Sequence, residues 1–163
     1  MTCADIHLLL KVWSSQDAYK ASRSSSTHAA ITKLMKSLVD TSNPAIQTFH
    51  NTVILHKPIE TVIVAPVVQI TNIFLPADVD KAAFDAVWEG LVSHMRANPP
   101  DGFVAGAHGW GLEETNGAKV FTALSGWESV EKNVAGQAVV ADKFGAIQEF
   151  SNVFDVVSVL FPN

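Results

Sequence analysis

The chain has 163 residues, 48% of them hydrophobic and 17% charged, which is the composition of a globular protein and excludes a disordered or low-complexity chain. Its formal net charge of −5 and its lack of any Lys/Arg cluster argue against binding to nucleic acid or to an anionic membrane surface. The single cysteine, Cys3, fits a reducing compartment, and the longest apolar run, "VIVAPVV", is far shorter than the roughly 20 residues of a membrane span, so a cytoplasmic protein is expected.

The first part of the chain predicts a strand, a helix and a second strand. The apolar run "IHLLLKVW" (6–13) has the composition of a strand and is followed by two serines. A helix is predicted from Asp17 to about Val39, because apolar residues recur there at helical spacing, and the Asn-Pro pair of "TSNPA" ends it. The segment "IQTFHNTVILH" (46–56) is then predicted to be a strand.

The rest of the chain predicts six further elements. A strand is expected at about Thr61 to Leu75, followed by a helix that Asp78 or Asp80 caps and Pro99 ends. Two strands joined by the turn "ETNGAK" are predicted to form a hairpin. A helix and a last strand complete the order. The hairpin strands are predicted at 102–114 and 119–127, the helix at 128–149 and the last strand at 152–161.

This β-α-β-β-α-β order is the split βαβ, or ferredoxin-like, arrangement, an α+β fold in which an antiparallel sheet carries two helices on one face. The first part of the chain repeats the second half of that unit, since Trp13 and Trp127 both stand between a strand and a Ser-containing helix start. We therefore predict a partial β-α-β half-unit at 1–58 and a complete unit at 59–163. The alternative is that any strand–helix–strand segment resembles any other.

The stretches "IHLLLKVWSSQDAYK" and "KVFTALSGWESVEKN" share a strand, a Trp, one or two small residues and a helix. This pattern resembles the antibiotic-biosynthesis-monooxygenase domain and its stress-responsive A/B-barrel relatives in the dimeric α+β barrel superfamily. The resemblance implies that two antiparallel sheets pack face to face as a barrel. One chain supplies six predicted strands, so closure of a barrel of about eight strands implies a homodimer.

The same resemblance implies function only broadly, because the superfamily includes cofactor-free oxygenases of phenolic polyketides, cyclases, decarboxylases and proteins without known activity. It implies a small cofactor-independent enzyme that acts on a phenolic or polyketide-like aromatic intermediate in a barrel cavity. Three alternatives stay open. They are a polyketide cyclase or decarboxylase of the same fold, a non-catalytic ligand-binding or stress-response barrel, and a degraded paralogue without activity.

Histidines on the predicted strands are the candidate catalytic bases, because a neutral imidazole in an apolar cavity takes up a proton near neutral pH. His108 in "AGAHGWG" (105–111) is the first choice, since the glycines around it leave room for a ligand or for another backbone. His56 and His50 follow, on one face of the strand 46–56. The structural alternative is that His108 is a hairpin residue satisfied by backbone groups or solvent.

The candidate substrate-binding residues are aromatic or polar side chains, namely Trp110, Asn72, Thr52, Gln69 and Trp13. Trp110 would offer a flat wall to an aromatic substrate. The resemblance implies a functional Asn in the strand that carries Asn72. No metal or cofactor is expected, since the sequence has no Cys/His metal spacing, HExxH motif or phosphate-binding glycine loop.

Overall fold

A computed structural model describes residues 15–38, 52–56, 59–151 and 153–160 of the chain, which divides into two compact units, Met1–Phe49 and His50–Asn163. The predicted strand 6–13, which includes Trp13, and the candidate base His50 lie outside the described residues. Within the described ranges, no helix is both long enough and apolar enough to cross a membrane.

The described part of the first unit consists of two helices, α1 (Gln16–Arg23) and α2 (Ser26–Leu38). The hydroxyl of Ser15 caps α1 by accepting a hydrogen bond from the backbone N–H of Ala18 at 3.1 Å. The hydroxyl of Ser25 accepts from the backbone N–H three residues later, also at 3.1 Å, and so starts α2. The prediction of one continuous helix is therefore wrong, because Ser25 begins a second helix.

The second unit is built on one antiparallel sheet of five strands in the order β1-β3-β4-β2-β5. Its elements are β1 (Val53–Leu55), α3 (Glu60–Ile63), β2 (Val67–Pro76), α4 (Lys81–Ala97), β3 (Phe103–Gly111), β4 (Ala118–Trp127), α5 (Val130–Gln148) and β5 (Val153–Leu160). The order β2-α4-β3-β4-α5-β5 and the pairing of its four strands are those of the split βαβ unit. The predicted ferredoxin-like α+β fold is confirmed.

Local sequence signals explain the start of α4 and the turn between β3 and β4. The carboxylate of Asp80 accepts hydrogen bonds from the first backbone N–H groups of α4, so Asp80, and not Asp78, is the N-cap. Asn116 and Gly117 have positive φ angles of 53° and 76°, as a two-residue type I′ hairpin turn requires. The flanking residues Thr115 and Ala118 exchange backbone hydrogen bonds and close the hairpin.

The larger hydrophobic core lies between α4, α5 and the face of the sheet that they cover, which we call the helix face. Phe84 of α4 is fully buried, and its ring makes edge contacts with Trp110, Phe121 and Phe150 at centroid distances of 4.9–5.5 Å. The other buried members of this core are Ile73, Leu75, Trp88, Leu91, Val140 and Ile147. These contacts hold α4 over β3 and β4.

A smaller core lies on the opposite face of the sheet, beneath α3. The segment from Thr61 was predicted to begin a strand, but Glu60–Ile63 forms a helical turn and β2 begins only after it. Val62 of this turn is fully buried against the sheet. Gly126 of β4 permits the approach, because a Cβ atom there would lie 2.8 Å from the Cβ of Ala65.

β1 extends the sheet beyond β3, so a strand that was assigned to the predicted half-unit pairs with a strand of the complete unit. The two compact units divide between Phe49 and His50, whereas the predicted boundary lies after residue 58. The duplication inferred from the two tryptophan junctions stays a prediction.

Candidate functional site

The two leading candidate bases, His108 and His56, lie side by side on the helix face. The antiparallel pairing of β1 with β3 brings them together, since the backbone N–H of His56 donates to the carbonyl oxygen of His108 at 2.9 Å. Their ring centroids are 5.3 Å apart, with an angle of 45° between the ring planes. Residues that the sequence separates by a helix, a strand and a second helix therefore form one imidazole pair.

His108 is buried between the sheet and α4, with 7% of its surface exposed. Its ring lies 5.8 Å from the ring of Trp88 on α4 and 5.7 Å from that of Phe121 on β4, measured between centroids. Its Nε2 atom is 3.2 Å from a carboxylate oxygen of Glu89. The expectation that this ring projects into a hollow between two sheets is wrong, because its strand turns the ring towards the helices.

The two imidazoles of the pair differ in their exposure to solvent. His56 is an exposed residue at the end of β1, and the side chain of Glu89 is 53% exposed, whereas that of His108 is 9% exposed. An imidazole that contacts a carboxylate forms a stronger hydrogen bond in its protonated form, which is the property needed in a general base. Within the described ranges, no group of three or more His, Cys, Asp or Glu residues has the arrangement of a metal site.

Trp110 lies two residues from His108 on the same face of β3 and is held by α4. Its indole N–H donates to a carboxylate oxygen of Asp85 at 2.8 Å, and the ammonium group of Lys81 lies 4.5 Å from the centroid of its ring. Lys81, Asp85 and Glu89 follow one another at intervals of four residues, so they form one stripe along α4. Trp110 is therefore fixed near the imidazole pair, and its role as a flat wall for a substrate stays a prediction.

Gly109, in the glycine-rich stretch around His108, permits the close approach of β1. A Cβ atom on Gly109 would lie 1.8 Å from the carbonyl oxygen of Ile54, so only glycine allows β1 to pair here. Of the two possibilities that the sequence left open, room for a ligand or room for a backbone, Gly109 provides the second. Its small size is what brings His56 to His108.

Asn72 belongs to a different polar group, on the opposite face of the sheet. Its side-chain oxygen accepts a hydrogen bond from the hydroxyl of Thr122 at 2.8 Å, and its amide nitrogen donates to the carboxylate of Asp155 at 3.3 Å. Asn72 is 6% exposed, so these hydrogen bonds satisfy a buried amide. The structure therefore does not bring Asn72 together with the imidazole pair.

Gln69 and Thr52 also lie away from the pair. The side-chain oxygen of Gln69 accepts a hydrogen bond from the amide of Gln137 on α5 at 3.2 Å. Thr52 immediately precedes β1, and its carbonyl oxygen accepts from the backbone N–H of Leu112 at 2.8 Å. Among the candidate substrate-binding residues that the structure describes, only Trp110 is next to the imidazole pair.

Glu89 and Asp85 are the site residues that sequence reasoning missed. Both lie on a helix whose apolar residues identified its buried face, and charged residues on such a helix are usually assigned to solvent. A signal was present nonetheless. A buried imidazole and a partly buried indole N–H both need an acceptor, and α4 offers two carboxylates one turn apart.

No protein-family model matches the chain, and no curated protein matches its sequence. Among solved structures, the cofactor-independent oxygenase SnoaB from Streptomyces nogalater is 18% identical, with 61% of this chain and 96% of that chain covered and a TM-score of 0.45. A dimeric ferredoxin-like protein of unknown function from Thermobifida fusca is 14% identical, with 69% and 100% covered and a TM-score of 0.47. The ActVA-Orf6 monooxygenase of Streptomyces coelicolor is 11% identical, with 61% and 89% covered and a TM-score of 0.44. These solved structures are similar to this chain in fold.

Proposed function

We propose that this chain is a small cofactor-independent enzyme that acts on a phenolic or polyketide-like aromatic intermediate, and that His56 and His108 carry its proton-transfer chemistry. The observation that carries the proposal is the contact between the two imidazole rings, 5.3 Å apart, with a carboxylate 3.2 Å from the buried one. Catalytic sites commonly combine an exposed base with buried groups that adjust its proton affinity.

The exposed imidazole of His56 is the group that meets the substrate. The O–H bond of the phenol breaks, a new N–H bond forms on the imidazole, and the electron pair stays on the oxygen as a phenolate. Glu89 offsets the positive charge that the imidazole pair gains. Trp110 lies beside the pair and offers its aromatic ring to the planar anion. In an oxygenase, O₂ then oxidises the anion: it forms a hydroperoxide on a ring carbon, and cleavage of the O–O bond leaves a carbonyl group and releases water. In a cyclase the anion attacks a carbonyl carbon of the same molecule, whose oxygen takes up the proton. In a decarboxylase a carboxyl group of the substrate leaves as CO₂ and a proton takes its place.

The experiment is a turnover assay with a panel of anthrones, hydroquinones and naphthols that follows O₂ uptake and product formation. His56→Ala and His108→Ala should each lower kcat/KM by about a hundredfold or more, the usual effect of losing a general base. His94→Ala is the matched control, since His94 is a partly exposed histidine in the last turn of α4 and should leave turnover unchanged.

Circular dichroism and thermal melting show whether each variant folds. Turnover that survives both His56→Ala and His108→Ala contradicts the proposal. A wild-type protein that binds these aromatics but converts none of them instead favours the non-catalytic ligand-binding protein.

A homodimer is part of the same proposal. Val153, Val156 and Leu160 of β5 are 59%, 52% and 63% exposed, and an apolar strand at the edge of a sheet is a surface that another chain can cover. Sedimentation equilibrium tests this directly, and a single species of monomer mass at micromolar concentration would contradict it.

A further inference from the structure

We propose that Glu89 is a positioning residue that fixes the ring of His108 in one tautomer and raises the proton affinity of the imidazole pair. Its consequence for turnover rests on the proposed function, whereas its effect on the ring does not. This role goes beyond the choice of histidines, because Glu89 lies on a helix outside the predicted site.

The geometry carries the first half of the proposal. The carboxylate oxygen of Glu89 lies 3.2 Å from Nε2 of His108, and a carboxylate only accepts hydrogen bonds. The Nε2 atom must therefore hold the proton in the neutral ring. The imidazole side chain is 9% exposed, so solvent contributes little to its orientation.

The charges around the ring carry the second half. His56 faces it from β1 and Glu89 from α4, while the neighbours on β4, Phe121 and Ala123, and Trp88 on α4 are uncharged. Two adjacent imidazoles repel one another when both are protonated, and a carboxylate in contact with one of them offsets one positive charge.

The other charged residues on this stripe of α4 interact with a different ring. Asp85 accepts the indole N–H of Trp110, and the ammonium group of Lys81 lies over the same indole. Glu89 is the residue of this stripe that contacts the imidazole pair. Removing its charge should make His108 harder to protonate.

The test compares wild type with Glu89→Gln, which keeps a hydrogen-bond acceptor of the same size but removes the charge. NMR titration of the histidine ring signals should show the midpoint of His108 shifted to lower pH by about one unit. The charge of Glu89 also favours the proton that His56 takes from the substrate, so the acid limb of the pH profile of kcat/KM should shift in the same direction. Turnover at saturating substrate should fall by about tenfold.

Two further variants make the comparison sharp. Glu89→Asp keeps the charge on a shorter side chain, so the midpoint of the His108 titration should stay close to that of wild type. Asp85→Asn removes a carboxylate one turn away on α4, where it contacts Trp110 and not the imidazole, and should leave the His108 midpoint in place. A general electrostatic effect of α4 would instead move the midpoint equally in Asp85→Asn and Glu89→Gln, and that result overturns the proposal.

The possible outcomes separate this inference from the proposed function. An unchanged His108 titration in Glu89→Gln overturns the inference, even if His56→Ala abolishes turnover. A shifted titration in a protein that converts no aromatic substrate upholds the role of Glu89 on the ring and contradicts the proposed function. A shifted titration together with a shifted pH profile supports both.

Discussion

Gly109→Ala adds one methyl group at the point where β1 lies closest to β3. The new Cβ would lie 1.8 Å from the carbonyl oxygen of Ile54 and 2.7 Å from its carbonyl carbon, and both atoms belong to the backbone. Real Cβ contacts stay above 3.0 Å, so β1 must retreat by more than 1 Å. No rotamer change relieves the clash, and the variant should therefore detach β1 from the sheet.

The loss of unfolding free energy in Gly109→Ala follows from the hydrogen bonds that hold β1 in the sheet. The N–H of His56 donates to the sheet at 2.9 Å and that of Leu112 donates to Thr52 at 2.8 Å, and the three pairs of the β1–β3 ladder lie between them. Overpacking costs about 1–3 kcal/mol and a net hydrogen bond about 0.5–1.5 kcal/mol, so a loss of about 2–3 kcal/mol is expected. For a chain of this size the Tm should fall by about 4–12 °C.

Thermal unfolding measures the total loss, and amide hydrogen exchange locates it. Exchange should accelerate at His56 and Leu112 and stay slow in the centre of β2. The matched control is Gly90→Ala on α4, where a Cβ atom meets nothing within 4 Å and should stabilise the helix by about 0.5–1 kcal/mol. Slow exchange at His56 and a wild-type Tm in Gly109→Ala would refute the close approach of the two strands.

Two further predictions concern α4 and α5. A double-mutant cycle of Trp110→Phe with Asp85→Ala should give a coupling energy of about 1–2 kcal/mol in urea unfolding, because the indole N–H donates to the carboxylate at 2.8 Å, and a value near zero would contradict that bond. Ser129→Ala removes the N-cap of α5 and should cost about 1 kcal/mol. A hydrogen bond from the Ser129 hydroxyl also lowers the pKa of Glu131, so it stabilises the fold above the ordinary pKa of that carboxyl and ceases to do so as the pH falls. The difference in the free energy of unfolding between Ser129→Ala and wild type should therefore be smaller in urea unfolding at acid pH. A difference that does not change with pH would contradict this.

Most of the split βαβ unit follows from local sequence signals. Asp80 caps the helix that begins at the next residue, and Asn116-Gly117 form the turn between two adjacent strands. Both effects are local, so they can be predicted without any knowledge of tertiary contacts. The junction residue Trp127 also behaves as an anchor. It is 4% exposed, and a Cβ atom on Gly136 of α5 would lie 2.3 Å from its ring.

The elements that were predicted wrongly depend on contacts far along the chain. The β-branched run after Thr61 favours a strand by intrinsic preference, yet Val62 is fully buried in a helical turn on the opposite face. Gly126, more than sixty residues later, leaves the space for that turn. The break before Ser25 is a different case, since a serine within a helix pattern is compatible with both a continuous helix and a new N-cap.

The sequence predicts only in part which face of the sheet carries His108. Alternation along β3 shows that His108 and Trp110 share a face, but the other set of residues, from Phe103 to Gly109, is apolar. The pattern therefore does not say which set meets the helices. The need of these two rings for hydrogen-bond acceptors decides which face they occupy. An imidazole and an indole buried against an apolar second sheet would lack acceptors, whereas Asp85 and Glu89 on α4 supply one to each. The chemistry that we propose therefore belongs at the edge between α4 and β1, where His56 is exposed, and not in an apolar barrel interior.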